Sequence, residues 1–199
     1  MNPAGQQVVG LVLAAGEGRR LGQPKALVTD AAGETWLARA VRVIRGAGVV
    51  DVTVVVGAAA GDVRSAAPDG VVVVEATDWS EGMGASLRTG LRALGESAQA
   101  QAAVVMLVDT PDIGTDVVSR LLAEVDATSL ARATYGGRPG HPVVLGRSHW
   151  AGVVDLARGD RGARDYLVSH PPTEVECGDL SSGTDVDTPE GLASWELSS

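Results

Sequence analysis

The chain has 199 residues, of which 45% are hydrophobic, and it carries a formal net charge of −9 with a pI near 4.7. This length suits one large domain, and the acidic balance argues against a nucleic-acid surface, which needs a basic patch. The single cysteine, Cys177, excludes an internal disulfide and a cysteine-based zinc site. We find no export signal and no apolar run near the ~18–20 residues that span a bilayer, so we expect a cytoplasmic protein without a membrane partner.

Apolar, valine-rich runs alternate with amphipathic patterns as far as residue 125. The runs predict buried β-strands at residues 8–14, 52–56, 71–75 and 102–108. The amphipathic patterns predict helices at residues 36–47, 61–67, 84–94 and 116–125. Apolar strands separated by helices indicate a parallel sheet that is covered on both faces, so we predict an α/β fold.

The pattern changes after residue 125. Strands are predicted at residues 131–135, 143–145 and 173–177, and helices at residues 162–169 and 189–197. The polar residues 95–101 are predicted to form a surface loop. We find no internal repeat or long linker, so we expect a single domain over residues 1–199. Its two parts, residues 1–125 and 126–199, are expected to share one sheet.

Residues 13–27 read LAAGEGRRLGQPKAL and begin at the end of the first predicted strand. The stretch combines three glycines with Arg19, Arg20 and Lys25, which is the only lysine of the chain. α/β proteins bind ligands at the carboxyl ends of such strands, so we expect a negatively charged ligand here. A flexible connection with solvated arginines is the alternative, and for Arg19 solvation is as good an interpretation as ligand binding.

Two common phosphate-binding loops do not match this stretch. The phosphate-loop signature ends in Gly-Lys-Ser/Thr, whereas Gln23 and Pro24 separate Gly22 from Lys25. The dinucleotide fingerprint requires a third glycine at the position that Leu21 occupies. The stretch is therefore a loop of a third type.

That third type is LAAGxGxRMGxPKxL, the signature of the MobA-like nucleotidyltransferase superfamily, which the stretch resembles closely with Leu21 in place of the usual methionine. Five later segments resemble, in the same order, those of one branch, the molybdenum cofactor cytidylyltransferases. These segments are residues 79–91, 109–111, 140–142, 159–164 and 185–190. In residues 109–111, Thr110 stands where Met or Gln is more usual. The resemblance implies a three-layer, Rossmann-like nucleotidyltransferase fold with a mostly parallel central sheet.

The resemblance also implies a reaction, in which a phosphate oxygen of an acceptor attacks the α-phosphate of a nucleoside triphosphate and releases pyrophosphate. The preferred assignment is transfer of CMP from CTP to a molybdopterin-type cofactor. Residues 1–125 would bind the nucleotide and residues 126–199 the acceptor. Positioning and charge neutralisation provide most of the catalysis in such reactions, so Arg20 and Lys25 are expected to be catalytic. The loop residues expected at the nucleotide are Leu13, Ala14, Ala15, Gly16 and Gly18.

A divalent cation, Mg²⁺ or Mn²⁺, is expected to bridge the phosphates, and magnesium prefers one or two carboxylates with phosphate oxygens and water. Asp109 follows the fourth predicted strand and is the leading ligand and a catalytic residue. Its alternative role is a helix cap, although Asp112 and Thr115 lie nearer to the predicted helix start. The second carboxylate is expected from Asp185 or Asp187, which share a face of an extended chain, so spacing does not choose between them. Either could instead cap the last helix.

The same resemblance assigns residues to the base and to the acceptor. The residues expected beside the base are Gly57, Gly82 and Ser86. The residues expected at the acceptor are His141, Asp160 and Arg164. Plain packing is the alternative for the histidine, and a solvated charged turn is the alternative for the other two.

Three other functions stay open. The same transfer could use another base, such as that of GTP, or another phosphorylated acceptor. Some proteins that resemble this branch are assigned as reductases with nicotinamide cofactors, although Leu21 interrupts the dinucleotide fingerprint here. The non-catalytic alternative is a carrier that hands the molybdenum cofactor to a molybdoenzyme, which is then the protein partner.

Overall fold

The computed structural model describes residues 7–97 and 99–196. The strands are β1 (Gln7–Leu13), β2 (Val52–Val56), β3 (Val72–Glu75), β4 (Ala100–Leu107), β5 (Leu130–Tyr135), β6 (Arg138–Gly146) and β7 (Thr173–Glu176). The α-helices are α1 (Trp36–Gly46), α2 (Ala60–Ser65), α3 (Met83–Gly95), α4 (Thr115–Leu121), α5 (Arg147–Leu156), α6 (Arg164–Ser169) and α7 (Pro189–Glu196). In the described residues, no helix combines the length and the apolar composition of a bilayer-spanning segment.

The seven strands form one sheet in the order β3-β2-β1-β4-β6-β5-β7. All of them run in one direction except β6, which pairs antiparallel with both β4 and β5. From β1 the chain leads to β2 on one side of β1 and later to β4 on its other side. The carboxyl ends of β1 and β4 therefore flank a crevice of the kind in which α/β proteins bind ligands. This arrangement confirms the predicted α/β fold class and its mostly parallel sheet.

Helices cover both faces of the sheet because the central strands are apolar on both sides. One core cluster joins α1, α2 and α4 to the sheet, and its largest buried side chain is Trp36. A second cluster joins the opposite face to α3, α5 and α6, through residues such as Leu91, Trp150 and Leu167. The resulting three layers hold the ends of β1 and β4 rigidly, which fixes the start of the loop that follows each strand.

The largest differences between the predicted and the observed elements are two element ends, one helix and one loop. The strand predicted at residues 143–145 begins already at Arg138, and the helix predicted at residues 116–125 ends at Leu121. Helix α5 was not predicted. The loop predicted at residues 95–101 is shorter, since α3 includes Gly95 and β4 begins at Ala100. The last residue of the predicted closing helix, Leu197, lies outside the described residues.

Candidate active site

A glycine turn follows β1 and carries the predicted cations. Gly18 has φ +66°, and a Cβ there would collide with the carbonyl oxygen of Gln23, so the turn requires glycine at this position. The carbonyl of Gly18 accepts the N–H groups of Leu21 and Gly22, both at 2.9 Å. The N–H groups of residues 16–20 donate no hydrogen bond to the described part of the chain. The loop therefore offers several free donors to an anion.

Lys25 lies at the end of this loop, between two carboxylates. Its Nζ donates to Asp109 Oδ2 at 2.6 Å and also contacts Asp187 Oδ1. The lysine side chain is 18% exposed. Burial acts to lower the pKa of Lys25, but the charges and hydrogen bonds of Asp109 and Asp187 outweigh it, so the pKa lies above its ordinary value. The lysine is therefore a firmly protonated cation.

Asp109 follows β4 directly across from the glycine turn. Its Oδ2 accepts from Lys25, whereas its Oδ1 is buried and has no hydrogen-bond partner among the described residues. The carboxylate does not cap α4, whose N-cap is Gly114. A buried oxygen without a partner is costly, so this atom is a ready ligand for a cation.

The predicted pair of acidic residues near the C-terminal end takes two different positions. Asp187 faces the loop, with one oxygen on Lys25 and the other 3.7 Å from Arg20 Nη1. Asp185 is exposed, yet partial desolvation and the charges of Asp109 and Asp187 raise its pKa to about 6. The backbone holds this segment in place, because the Val186 N–H donates to the Asp109 carbonyl at 2.8 Å.

These carboxylates fit a hard divalent cation that also binds substrate oxygens. Within residues 7–97 and 99–196, no group of three or more His, Cys, Asp or Glu side chains is arranged as a complete metal site. A magnesium or manganese ion needs only one or two carboxylates when phosphate oxygens and water supply the remaining ligands. Asp109 has a free buried oxygen for this purpose, and the neighbouring Asp185 and Asp187 add negative charge.

The loop and the carboxylates line one cleft of about 500 Å³. Its floor includes Leu13 and residues 15–20, together with Lys25, Asp109 and Asp187. Its opposite wall includes Gly82, Ser86 and Asp160. A Cβ at Gly82 would collide with the side chain of Asp160. Asp160, which is expected at the acceptor, therefore lies directly against Gly82, which is expected beside the base. The cleft thus brings together most residues that the sequence predicted for the site.

Five predicted site residues do not line this cleft, and the exposed Asp185 is one of them. Ala14 is buried, and its N–H pairs with the Val55 carbonyl at 2.8 Å. Gly57 permits close packing, because a Cβ there would lie 2.6 Å from the Cβ of Trp79. Arg164 is exposed at the first residue of α6.

The last of these residues, His141, does not line the cleft but is close enough to Asp109 for its charge to act on the imidazole. Desolvation lowers the pKa of its imidazole to about 4, so the ring is neutral near pH 7. Its backbone carbonyl accepts the hydroxyl of Tyr135 at 2.6 Å. A neutral ring offers no charge to a phosphate, so any contact of His141 with an acceptor would be uncharged.

Arg88 is a site-shaping residue that the sequence analysis did not single out. Its buried guanidinium donates to Asp78 and Glu81, each at 2.7 Å, and to the Ala157 carbonyl at 2.9 Å. It thereby joins the two segments that form the opposite wall of the cleft. The available signal was an arginine on the apolar face of a predicted helix, since a buried charge needs partners.

Residues 10–174 match the MobA-like NTP transferase domain family. The chain belongs to this family. This membership confirms the resemblance to the MobA-like superfamily, and it makes the chain a nucleotidyltransferase by family.

One similar protein and two structures of another extend the comparison of this MobA-like chain. Nicotine blue oxidoreductase of Paenarthrobacter nicotinovorans is 36% identical over 198 residues, covering 93% of this chain and 94% of that protein. The crystal structure of Rv0371c from Mycobacterium tuberculosis H37Rv is 33% identical with a TM-score of 0.80, covering 98% of each chain. A structure of Rv0371c in complex with manganese is 30% identical with a TM-score of 0.77, covering 98% of this chain and all of that one.

Proposed function

We propose that this MobA-like protein transfers CMP from CTP to the phosphate of a molybdopterin-type acceptor and releases pyrophosphate. One observation carries the proposal: the cations Arg20 and Lys25 meet the carboxylates Asp109 and Asp187 in a single cleft at the ends of β1 and β4. A triphosphate needs cations and free N–H donors, and its bound metal needs carboxylates. The cleft offers the cations and the carboxylates within contact distance of each other, and the N–H donors lie in the same loop as the cations.

The loop residues hold the triphosphate in this proposal. The free N–H groups of residues 16–20 donate to phosphate oxygens, as in other nests of backbone donors. Arg20 is 77% exposed and presents a planar fork that suits two phosphate oxygens. Lys25 turns from the carboxylates to the α-phosphate, where it stabilises charge as the bond to pyrophosphate breaks.

Asp109, with Asp187 or Asp185, would hold a magnesium or manganese ion beside the phosphates. When bound, such an ion polarises phosphoryl oxygens and neutralises developing charge. The manganese complex of the related Rv0371c supports a divalent cation in this family. In the free protein Lys25 takes the place of this positive charge between the carboxylates.

The acceptor is placed on the side of the cleft that residues 126–199 contribute. Asp160 lines the cleft and lies against Gly82, next to the buried Ser86 that we place beside the base. Arg164 and His141 would lie further out along the acceptor. A phosphate oxygen is already ionised at neutral pH, so the attack requires positioning and no general base.

Pyrophosphate release tests the proposal directly. The protein is incubated with a molybdopterin-type acceptor, Mg²⁺ or Mn²⁺, and each of the four nucleoside triphosphates in turn. We expect release with CTP, and loss of release with a metal chelator, with Lys25→Ala and with Asp109→Ala. Arg42→Ala is the matched control, because Arg42 pairs with Glu34 outside the cleft. Activity with GTP alone would overturn the cytidylyl assignment.

A second candidate is an NAD(P)H-dependent oxidoreductase on the same fold. It is favoured by the 36% identity to nicotine blue oxidoreductase. It predicts that NADPH binds without a divalent cation and that turnover oxidises the nicotinamide. Oxidation of NADPH that is unaffected by Lys25→Ala, with no pyrophosphate released from any triphosphate, would favour this candidate over the transferase.

A further inference from the structure

The acidic segment of residues 181–187 has no helix or strand to hold it, although it supplies Asp187 to the cleft. An irregular segment keeps a fixed position only if specific contacts hold it. The contacts that hold this one come from residues far away in the sequence. They converge on Asp112, which the function proposed above does not use.

One oxygen of Asp112 accepts four hydrogen bonds from this segment. Its Oδ2 accepts from Ser181 Oγ at 2.8 Å, from Ser182 N and Oγ at 2.9 and 2.7 Å, and from Gly183 N at 3.1 Å. Its other oxygen, Oδ1, is buried without a partner among the described residues. Hydrogen bonds to an ionised carboxylate are stronger than those to neutral acceptors.

Two further contacts fix the segment on either side. Gly183 has φ +61°, and a Cβ there would collide with the ring of Tyr135, so the chain passes flat against that ring. The N–H of Val186 donates to the Asp109 carbonyl at 2.8 Å, and its side chain is buried. With Asp112, these contacts determine where the residues beyond Gly183 enter the cleft.

Asp112 has no competing role in its own neighbourhood. It lies three residues before α4, but that helix begins at Thr115 with Gly114 as its N-cap and no side-chain cap. Asp109 and Asp112 both follow β4. The short stretch from Asp109 to Asp112 therefore supplies one carboxylate to the cleft and also holds the segment that supplies the second carboxylate, Asp187.

We propose that Asp112 is a positioning residue, which holds residues 181–187 so that Asp187 reaches Lys25 in the cleft and Asp185 stays next to it along the chain. The part that concerns metal binding rests on the function proposed above. Partners that orient metal ligands typically account for about 10- to 100-fold in metal affinity or activity. Asp112→Asn should therefore weaken the metal site without removing any of its ligands.

The test compares Asp112→Asn with the wild-type chain in three measurements. Hydrogen exchange of peptides that cover residues 180–188 should become at least about tenfold faster. Calorimetric titration with Mn²⁺ in the presence of CTP should show about 10- to 100-fold weaker binding. In turnover, the Mn²⁺ concentration for half-maximal rate should rise more than kcat falls, because high Mn²⁺ reorders the segment.

Two variants control for a general loss of stability. Asp126→Asn removes a carboxylate that accepts from Thr128 and Ser129 in a similar turn outside the cleft, so it should leave Mn²⁺ binding unchanged. Ser182→Ala removes one of the four donors and should give a smaller effect than Asp112→Asn. In Asp112→Ala, adding Ser182→Ala should change nothing further.

Either of two results would overturn the inference: exchange of residues 180–188 that does not change in Asp112→Asn, or faster exchange with unchanged Mn²⁺ affinity. A wild-type chain that binds neither Mn²⁺ nor CTP would instead defeat the proposed function. The exchange measurement alone would then decide whether Asp112 positions the segment.

Discussion

At the scale of single residues, the central feature is a lysine that neutralises two carboxylates from distant parts of the chain. Asp109 and Asp187 lie 84 and 162 residues beyond Lys25 in the sequence, yet both contact its Nζ. In the proposed function a divalent cation would bind the same two carboxylates as the lysine. We therefore expect the lysine and the metal to compete until a triphosphate offers the lysine another anion.

Replacing Lys25 by methionine should separate metal binding from turnover. Without the ammonium, Asp109 and Asp187 keep their full negative charge, so Mn²⁺ should bind more tightly in the absence of nucleotide. Turnover should fall by about 10²–10³-fold, since a charge that stabilises the transition state is lost. Calorimetry and pyrophosphate release measure the two effects, and Arg42→Met should change neither. Weaker Mn²⁺ binding by Lys25→Met would show that the lysine does not compete with the metal.

The sequence predicted the residues of this centre because they lie in short local patterns. Arg20 and Lys25 belong to the loop that follows β1, and Asp109 follows β4, where ligand-binding residues are expected. The choice between Asp185 and Asp187 depended on how an irregular segment docks, which no local pattern contains. Arg88 and Asp112 were missed for the same reason, since Arg88 reaches Ala157 69 residues away and Asp112 reaches the segment from Ser181 onward.

At the scale of elements, the first four strands and helices α1 to α3 were predicted within two residues, because each is apolar or amphipathic over most of its length. β6 was predicted too short, since its first residues include two prolines and a glycine, which are uncommon in strands. It forms there because it pairs with β5 in a hairpin. Helix α5 was missed because its first three residues are polar and Gly152 interrupts the apolar ones. Packing of Trp150 and Val153 stabilises the helix.

Arg88 should be the most sensitive position of helix α3. Arg88→Met leaves Asp78, Glu81 and the Ala157 carbonyl without their shared donor. We expect the free energy of unfolding to fall by about 2–3 kcal/mol, in the range for loss of a buried hydrogen-bond network. KM for CTP should rise as well, because the wall of the cleft loosens. Urea unfolding measures the free energy of unfolding, and steady-state kinetics measure KM for CTP. Arg92→Met, at an exposed position of the same helix, is the control. Equal stability of Arg88→Met and Arg92→Met would contradict the prediction.

Glu176 should make the end of β7 sensitive to acid. Hydrogen bonds from the N–H groups of Gly137, Gly136 and Gly178 lower its pKa from 4.5 to about 2. Folding therefore favours the ionised carboxylate of Glu176. Its contribution to the stability of the folded state is complete above about pH 4.5 and is lost as the pH falls toward 2. Glu176→Gln should be less stable than wild type at pH 7, with the difference shrinking on acidification. Thermal unfolding of the wild type and of Glu176→Gln between pH 7 and about pH 2 tests this prediction. For Glu124→Gln, at an exposed position, the difference in stability from the wild type should not change with pH.

At the scale of the whole molecule, one continuous sheet carries both halves of the proposed site. The loop after β1 and the carboxylate after β4 belong to its parallel part, whereas Asp160 and residues 181–187 follow β6 and β7. A ligand that spans the cleft therefore contacts both halves of the chain. Such a ligand should bind more strongly than one that contacts only one half, because the sheet fixes the two halves of the chain relative to each other.

Titration of the whole protein with CTP and with GTP tests this description. We expect CTP to bind more tightly than GTP in the presence of Mg²⁺, and a chelator to weaken binding of both. In the proposed function a metal ion would be held by carboxylates of both halves beside the triphosphate, so its removal should reduce affinity by about tenfold or more. Equal affinity for CTP and GTP would leave the family assignment standing and remove the preference for cytidine.

The hydrogen bond from Val186 to the backbone of Asp109 also has a consequence during synthesis on the ribosome. The second acidic partner of Lys25, Asp187, is translated 162 residues after the lysine itself. A nascent chain that has folded only β1 to β4 and Asp109 therefore exposes a cationic loop with one of its two carboxylate partners missing. Docking of the later segment then brings the second carboxylate into place, so the complete site arises only after Asp187 has been translated.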